Sequence, residues 1–145
     1  MRYTPDFRIR DPEPDIKAIQ INQYLHGRSS PLEGIGGTLK ACEAKYNLNC
    51  LFVLAIAILE SGWGNSYIAR KKHNCTGWGA IDSDPFNGAL KFKDFSECIE
   101  TTVKGLFKHY VQLTIQEVNT KYCPTNPKWA GAICDIMNQL KRQIL

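Results

Sequence analysis

The sequence predicts one α+β domain that is mostly helical and carries a single small β-hairpin. Apolar residues recur at helical spacing over most of the chain, and the uncharged apolar run from Cys50 to Leu59 is long enough for a buried helix. Aromatic residues and turn dipeptides between Gly77 and Phe95 are typical of a hairpin. The 145 residues, of which 43% are hydrophobic and 22% charged, suit one globular domain and exclude disorder over most of the chain.

The predicted order of elements begins with an extended arm. Residues 1–15 combine prolines with alternating charges, which indicates an arm that lies over the surface and whose removal costs little activity. The domain proper is predicted to span residues 16–145. A first helix begins at Asp15, and a second runs from about Leu32 to Tyr46.

The central helix follows. Asn49 is a favourable N-cap, and residues 50–59 come after it without a polar face. A helix that is apolar all round must be buried on every side, so the other helices are expected to pack around this one. Gly62 and Gly64 are predicted to end it.

Two further helices are predicted after the hairpin. Ser96 is a favourable N-cap for a long helix, with apolar residues from Ile99 to Tyr110 on one face. Asn126 followed by Pro127 is typical of a helix start, and an apolar stripe continues from there towards the C-terminus.

Charge and cysteine content narrow the classes of partner. The net charge of +4 is spread along the chain, which argues against nucleic acid and suits an anionic polymer such as a bacterial cell wall, or no charged partner. The longest apolar run is half of the roughly 20 residues that a membrane-spanning helix needs, so no membrane insertion is expected.

The six cysteines contain no CxxC motif and are interpreted first as buried thiols and second as one or two disulfides. No metal and no cofactor are expected.

Glu60 is the candidate catalytic group because it follows the most apolar stretch of the chain directly. A carboxyl group at the edge of a core is partly desolvated, which raises its pKa and lets it act as an acid near neutral pH. The alternative is a helix-terminal residue turned to solvent, but an acidic side chain is unfavourable at the negative end of a helix. The following residues 61–66 supply glycines for close backbone approach and Trp63 as a plate for a sugar ring.

These residues carry a resemblance to a family. The segments Ala55–Ser66, Ile68–Asn74 and Gly77–Pro85 resemble the bacterial and phage cell-wall β-N-acetylglucosaminidases of the lysozyme-like superfamily, which include flagellar wall hydrolases and autolysins. The resemblance extends over roughly residues 20–141, and the Glu-Ser-Gly-Trp-Gly block that starts at Glu60 is its most specific part.

The resemblance implies a lysozyme-like fold, with Glu60 as the catalytic acid and the peptidoglycan glycan strand as the substrate. It also implies that Tyr122 is the cleft tyrosine ahead of the last helix. The chain departs from its relatives at residues 74–77, where they commonly carry Asn followed by aromatic residues and Gly. The N-terminal residues 1–15 contain no apolar export signal, which favours a phage-borne enzyme or a module of a larger protein that acts on the bacterial cell wall.

The second catalytic group has three candidates. Asp82 and Asp84 lie in the predicted hairpin, which a lysozyme-like cleft would place opposite Glu60. Asp-Ser-Asp-Pro is equally typical of a turn whose side chains cap their own backbone. The third candidate is the N-acetyl group of the substrate itself. Glu97 and Glu100 are disfavoured, because acidic residues in the first turn of a helix are explained by the helix dipole.

Saccharide binding is assigned to Trp63 and Trp78 through ring stacking, and to Asn74 through amide hydrogen bonds. Core packing is an equally good interpretation of Trp78. The resulting hypothesis is a peptidoglycan hydrolase, an endo-β-N-acetylglucosaminidase with Glu60 as general acid. The alternatives are a muramidase or lytic transglycosylase on the same scaffold, and a catalytically silent glycan-binding or phage-tail module. A place in a larger phage or cell-wall assembly is compatible with each of these hypotheses.

Overall fold

The computed structural model describes residues 2–78 and 88–145, and in these ranges the chain is mostly helical, as predicted. The described residues form seven helices and one isolated antiparallel bridge between Arg8 and Thr114. In these same ranges, no helix has both the length and the hydropathy to cross a bilayer. The helices are α1 (Ala18–Gly27), α2 (Gly36–Tyr46), α3 (Cys50–Ser61), α4 (Tyr67–Lys72), α5 (Phe95–Tyr110), α6 (Ile115–Tyr122) and α7 (Trp129–Ile144).

Helix α3 is the centre of the fold, and the prediction for it is confirmed. Residues 50–58 are all buried, and the helix packs against α2 and α7. The Asn49 side chain caps it by accepting hydrogen bonds from the backbone N–H groups of Leu51 and Phe52, at 2.9 and 3.1 Å. The helix ends at Gly62, whose φ of +56° is in the left-handed region that favours glycine.

Three residues of the N-terminal arm, Tyr3, Ile9 and Glu13, are buried. Tyr3 and Ile9 are 2% and 0% exposed and belong to the same hydrophobic cluster as α3. The side chain of Asn138 on α7 bonds both backbone polar groups of Tyr3. Glu13 is buried as well, accepts from the Tyr3 hydroxyl and forms an ion pair with Lys141 at 3.1 Å. Most other described residues of the arm are exposed, so these three anchor it to the domain, and we now expect its removal to lower the stability of the domain.

Helix α2 begins four residues later than predicted, at Gly36 rather than Leu32. At its first residue, Gly36, the helix comes close to α1: a Cβ on Gly36 would lie 2.3 Å from the backbone oxygen of Ala18. Glycine is the residue that permits this contact between the two helices. In α1 the apolar side chain of Ile19 is 64% exposed and does not pack into the core.

Helices α5 and α7 begin at slightly different residues from those predicted. Helix α5 is capped by Asp94, whose side chain accepts from the Glu97 N–H at 2.8 Å, so Ser96 lies inside the first turn. Asn126 forms a turn ahead of α7 by accepting from the Lys128 N–H, and the helix itself begins at Trp129. Asp94 is as good an N-cap residue as Ser96, and sequence alone did not separate them.

The predicted β-hairpin is not confirmed. Most of it falls on residues 79–87, which lie outside the described residues. The described flanks, residues 77–78 and 88–94, form no strand. The hairpin therefore stays a prediction.

Candidate active site

Glu60 lies in the last turn of α3, where the residue as a whole is exposed and its carboxyl group is partly buried. Burial of the carboxyl group raises the pKa of Glu60, and a hydrogen bond from Trp129 partly opposes this rise. In that bond the indole Nε1–H of Trp129 donates to Oε1 of Glu60 at 3.2 Å. The direction of the pKa change agrees with the sequence prediction, although the residue as a whole remains exposed.

The backbone after Glu60 turns sharply and fixes the end of α3. Ser61 is buried, its hydroxyl donates to the backbone oxygen of Ala57 at 2.5 Å, and it accepts from the Gly64 N–H at 2.8 Å. Gly64 has a φ of +87°, and a Cβ there would lie 3.0 Å from the Leu32 side chain. The turn thus accounts for Ser61, Gly62 and Gly64, and it holds the carboxyl-bearing end of the helix in place.

Tyr122 packs on Trp129, the residue that donates to Glu60. Its pKa is raised first by burial and second by the negative charge of Glu60. The Tyr122 hydroxyl donates to the backbone oxygen of Thr76 at 3.2 Å. Its ring lies 5.7 Å from the ring of Trp129 and stacks on Trp78 at 6.1 Å, with 20° between the planes. Glu60, Trp78, Tyr122 and Trp129 therefore form one cluster.

Asn74 is buried, and both polar atoms of its side chain are hydrogen-bonded inside the protein. The side-chain nitrogen donates to the backbone oxygens of Trp78 and Leu90, both at 3.0 Å. The side-chain oxygen accepts from the N–H groups of Thr76 and Gly77, at 3.3 and 2.9 Å. These four bonds saturate the amide, so the structure gives Asn74 a loop-holding role and leaves it no hydrogen bond for a saccharide.

Trp63 packs in a different direction from the cluster. The Arg28 guanidinium lies 4.1 Å from its ring centroid, and the Tyr24 ring lies at 6.2 Å. These residues line a cavity of about 300 Å³ together with Leu59 and residues of α7. Trp63 therefore sits next to the carboxyl-bearing end of α3, on the side of α1.

The predicted second carboxylates, Asp82 and Asp84, fall within residues 79–87, outside the described residues. The sequence predicts no role for Trp129 beyond a place in the apolar stripe that follows Pro127. The sequence does contain a signal for such a role: Trp129 lies just after the predicted helix start, and the indole N–H of a buried tryptophan needs a hydrogen-bond acceptor. Its acceptor lies 69 residues away along the chain.

Comparison with known proteins finds relatives that are described as an endo-β-N-acetylglucosaminidase or an autolysin. A Streptococcus pneumoniae protein described as a candidate endo-β-N-acetylglucosaminidase is 31% identical over 132 residues, which cover 86% of this chain and 20% of that protein. The crystal structure of a major bifunctional autolysin is similar with a TM-score of 0.73 at 26% identity, over 97% of this chain and 68% of the other.

A third match shows likeness of fold. A catalytic mutant of autolysin E from Staphylococcus aureus, in complex with the disaccharide NAG-NAM, has a TM-score of 0.75 at 23% identity, over 99% of this chain and 74% of the other. The present chain spans about a fifth of the length of the Streptococcus relative. The model of one family, glucosaminidase, described as mannosyl-glycoprotein endo-β-N-acetylglucosaminidase, matches residues 36–142. Because this match covers well over half of the chain, the protein belongs to the glucosaminidase family.

Proposed function

We propose that the protein is a peptidoglycan hydrolase, an endo-β-N-acetylglucosaminidase that uses Glu60 as its general acid. The observation that carries this proposal is the placement of Glu60: it is an exposed residue at the end of the buried helix α3, and its carboxyl group accepts from the indole N–H of the buried Trp129 at 3.2 Å. Burial shifts the Glu60 carboxyl group towards its protonated form, and the exposed residue can be reached by a polymer. Family membership and the sugar complex of autolysin E support a glycan as the substrate.

The hydrogen bond from Trp129 determines which oxygen of Glu60 carries the proton. Because Nε1–H of Trp129 donates to Oε1, that oxygen acts as an acceptor, and the acidic proton belongs on Oε2. In the reaction, Oε2 gives its proton to the glycosidic oxygen as the bond from that oxygen to the anomeric carbon breaks. The carboxylate that forms keeps the bond from Trp129, which stabilises the new negative charge.

The positive charge that develops at the anomeric carbon requires a second group. Asp82 and Asp84 remain proposed for this role, in a lysozyme-like arrangement that places a β-lobe opposite Glu60, and the acetamido group of the substrate is the alternative. Tyr122 lies close enough to Glu60 for the charge of the carboxylate to raise its pKa. We assign Tyr122 to the wall of the cleft, where its hydroxyl is held by Thr76.

Sugar rings are proposed to stack on Trp78, which is half-buried and lies in the Glu60 cluster. Trp63 is a second stacking plate further along the α3 end. Asn74 acts indirectly, because its four hydrogen bonds hold the loop that carries Trp78. The whole protein is proposed to act on the bacterial cell wall, either phage-borne or as a module of a larger assembly.

The test is digestion of purified bacterial walls by the wild type, by Glu60→Gln and by Glu100→Gln. Glu100 is an exposed carboxylate on α5 and serves as the matched control. We expect reducing N-acetylglucosamine ends from the wild type and the control, and a loss of about 10²–10⁴-fold for Glu60→Gln. Reducing or anhydro-muramic ends would instead show a muramidase or a lytic transglycosylase. Wall binding without cleavage by all three proteins would show a silent glycan-binding module.

A further inference from the structure

One face of α5 carries a row of small residues that receives the loop bearing Trp78. The row is formed by positions 98, 102 and 105, which are spaced so that they lie on the same side of the helix. Each of them contacts a different residue of the segment 75–78, which we call the Trp78 loop. The contacts are Cys75 Sγ to Cys98 Sγ at 3.8 Å, Thr76 Oγ1 to Thr102 Oγ1 at 2.7 Å, and the Trp78 ring against Gly105.

Gly105 is the tightest of these contacts. A Cβ added there would lie 1.9 Å from Cζ2 of Trp78 and 2.5 Å from Cη2, both atoms of the six-membered ring. Real atoms do not approach this closely, so the indole ring would have to move if residue 105 carried a side chain. Gly105 lies inside a helix, where glycine is less favourable than alanine. Its presence is therefore explained by the ring that packs on it.

The position of the Trp78 ring affects the proposed active site directly. The ring stacks on Tyr122, and the loop supplies the backbone oxygen of Thr76 that accepts from the Tyr122 hydroxyl. Tyr122 in turn packs on Trp129, with 5.7 Å between the ring centroids, and Trp129 donates to Glu60.

We propose that Gly105 is a positioning residue for substrate binding: by leaving room for the Trp78 ring on α5, it sets the plane on which a sugar ring stacks. Cys98 and Thr102 hold the same loop at its other end. This inference rests on the proposed function, because it takes Trp78 as a sugar-binding surface. Gly105 itself does not touch the glycan.

The test compares Gly105→Ala with Gly131→Ala. Gly131 is an exposed helical glycine on α7 with nothing within 4 Å of an added Cβ, so it is the matched control. With soluble peptidoglycan fragments as substrate, we expect Gly105→Ala to raise KM about 3- to 10-fold, since one displaced stacking plate removes binding that ground state and transition state share. The value of kcat should stay within about twofold, and Gly131→Ala should change neither constant. A lower kcat at unchanged KM would overturn the proposal.

A second variant separates positioning from general loss of structure. Phenylalanine lacks the distal ring atoms that would meet the alanine methyl group, so Gly105→Ala should raise KM much less in a Trp78→Phe background than in the wild type. Equal effects in both backgrounds would contradict the proposal.

The indole N–H resonance of Trp78, identified by its absence from the spectrum of Trp78→Phe, gives a readout that does not depend on catalysis. It should shift in Gly105→Ala and stay in place in Gly131→Ala. If the wild type proves inactive on walls, the proposed function fails. The placing of Trp78 by Gly105 is then still decided by this resonance, and an unchanged resonance refutes it.

Discussion

Replacing Trp129 by phenylalanine isolates the hydrogen bond that Glu60 receives. The substitution removes the Nε1–H donor, which lies 3.2 Å from Oε1, and keeps an aromatic ring at a buried position that contacts Phe52 and Tyr122. The indole N–H favours the charged carboxylate, so it holds the pKa of Glu60 below the value that burial alone would give. Without it, the pKa of Glu60 rises further.

The size of the effect follows from the geometry of the bond. A hydrogen bond to a fully buried charged group contributes about 1.5–3 kcal/mol, but Glu60 is open to solvent on one side and the donor–acceptor distance is at the long end of the normal range. We therefore expect about 1 kcal/mol, which corresponds to a roughly fivefold loss of kcat/KM at a pH where Glu60 is protonated. The loss arises because the carboxylate formed on proton transfer is no longer stabilised by a donor.

The assay is the pH dependence of kcat/KM on soluble peptidoglycan fragments. A general acid loses activity as the pH rises through its pKa, so the alkaline limb of the Trp129→Phe profile should lie at higher pH than that of the wild type. Trp63→Phe is the control, because that ring packs against Arg28 and Tyr24, and its alkaline limb should not move. An alkaline limb that moves to lower pH, or that does not move, would refute the assignment of this bond to the catalytic acid.

Three further predictions concern stability. Tyr3→Ala should lower the free energy of unfolding in urea by about 3 kcal/mol because a buried aromatic ring is lost, and a change below about 1 kcal/mol would show that the arm is not part of the core. Asn49→Ala should cost about 2 kcal/mol, since it removes the cap of α3 and leaves the Asp11 backbone oxygen without its donor at 2.9 Å; a neutral result would contradict this role. Glu60→Gln should raise Tm relative to the wild type at neutral pH but not at acidic pH. The reason is that the raised pKa makes the folded state hold its proton more tightly, so the wild type loses stability as the pH rises through that pKa. An equal gain at all pH values would show that burial of the charge is not the cause.

The central helix and its catalytic candidate were predictable because their signals are local. The sequence marks both ends of α3, with Asn49 as the N-cap and Gly62 as the C-cap, and the apolar run between them marks its buried interior. A carboxylate at the end of such an apolar helix is unusual enough to be recognised from the sequence. The overall mostly helical class follows from the same periodicity. These features require no knowledge of which distant residues meet.

The contacts that define the site are non-local, and the sequence did not reveal them. Trp129 reaches Glu60 across 69 residues, and the Asn74 amide is saturated by a loop whose path depends on the rest of the fold. The burial of Tyr3 likewise depends on α7, at the other end of the chain. Helix α6 was missed for a different reason: it is short, although Thr114 and Glu117 form a capping box that could have marked its start.

The proton of Glu60 is the central claim, and one measurement tests it most directly. The rates of wild type and Glu60→Gln are compared on two chitooligosaccharides of equal length, one with an ordinary sugar as leaving group and one with nitrophenol. Nitrophenolate departs without being protonated, so the variant should lose about 10²–10⁴-fold on the first substrate and far less on the second. An equal loss on both substrates would contradict the role of Glu60 as the general acid.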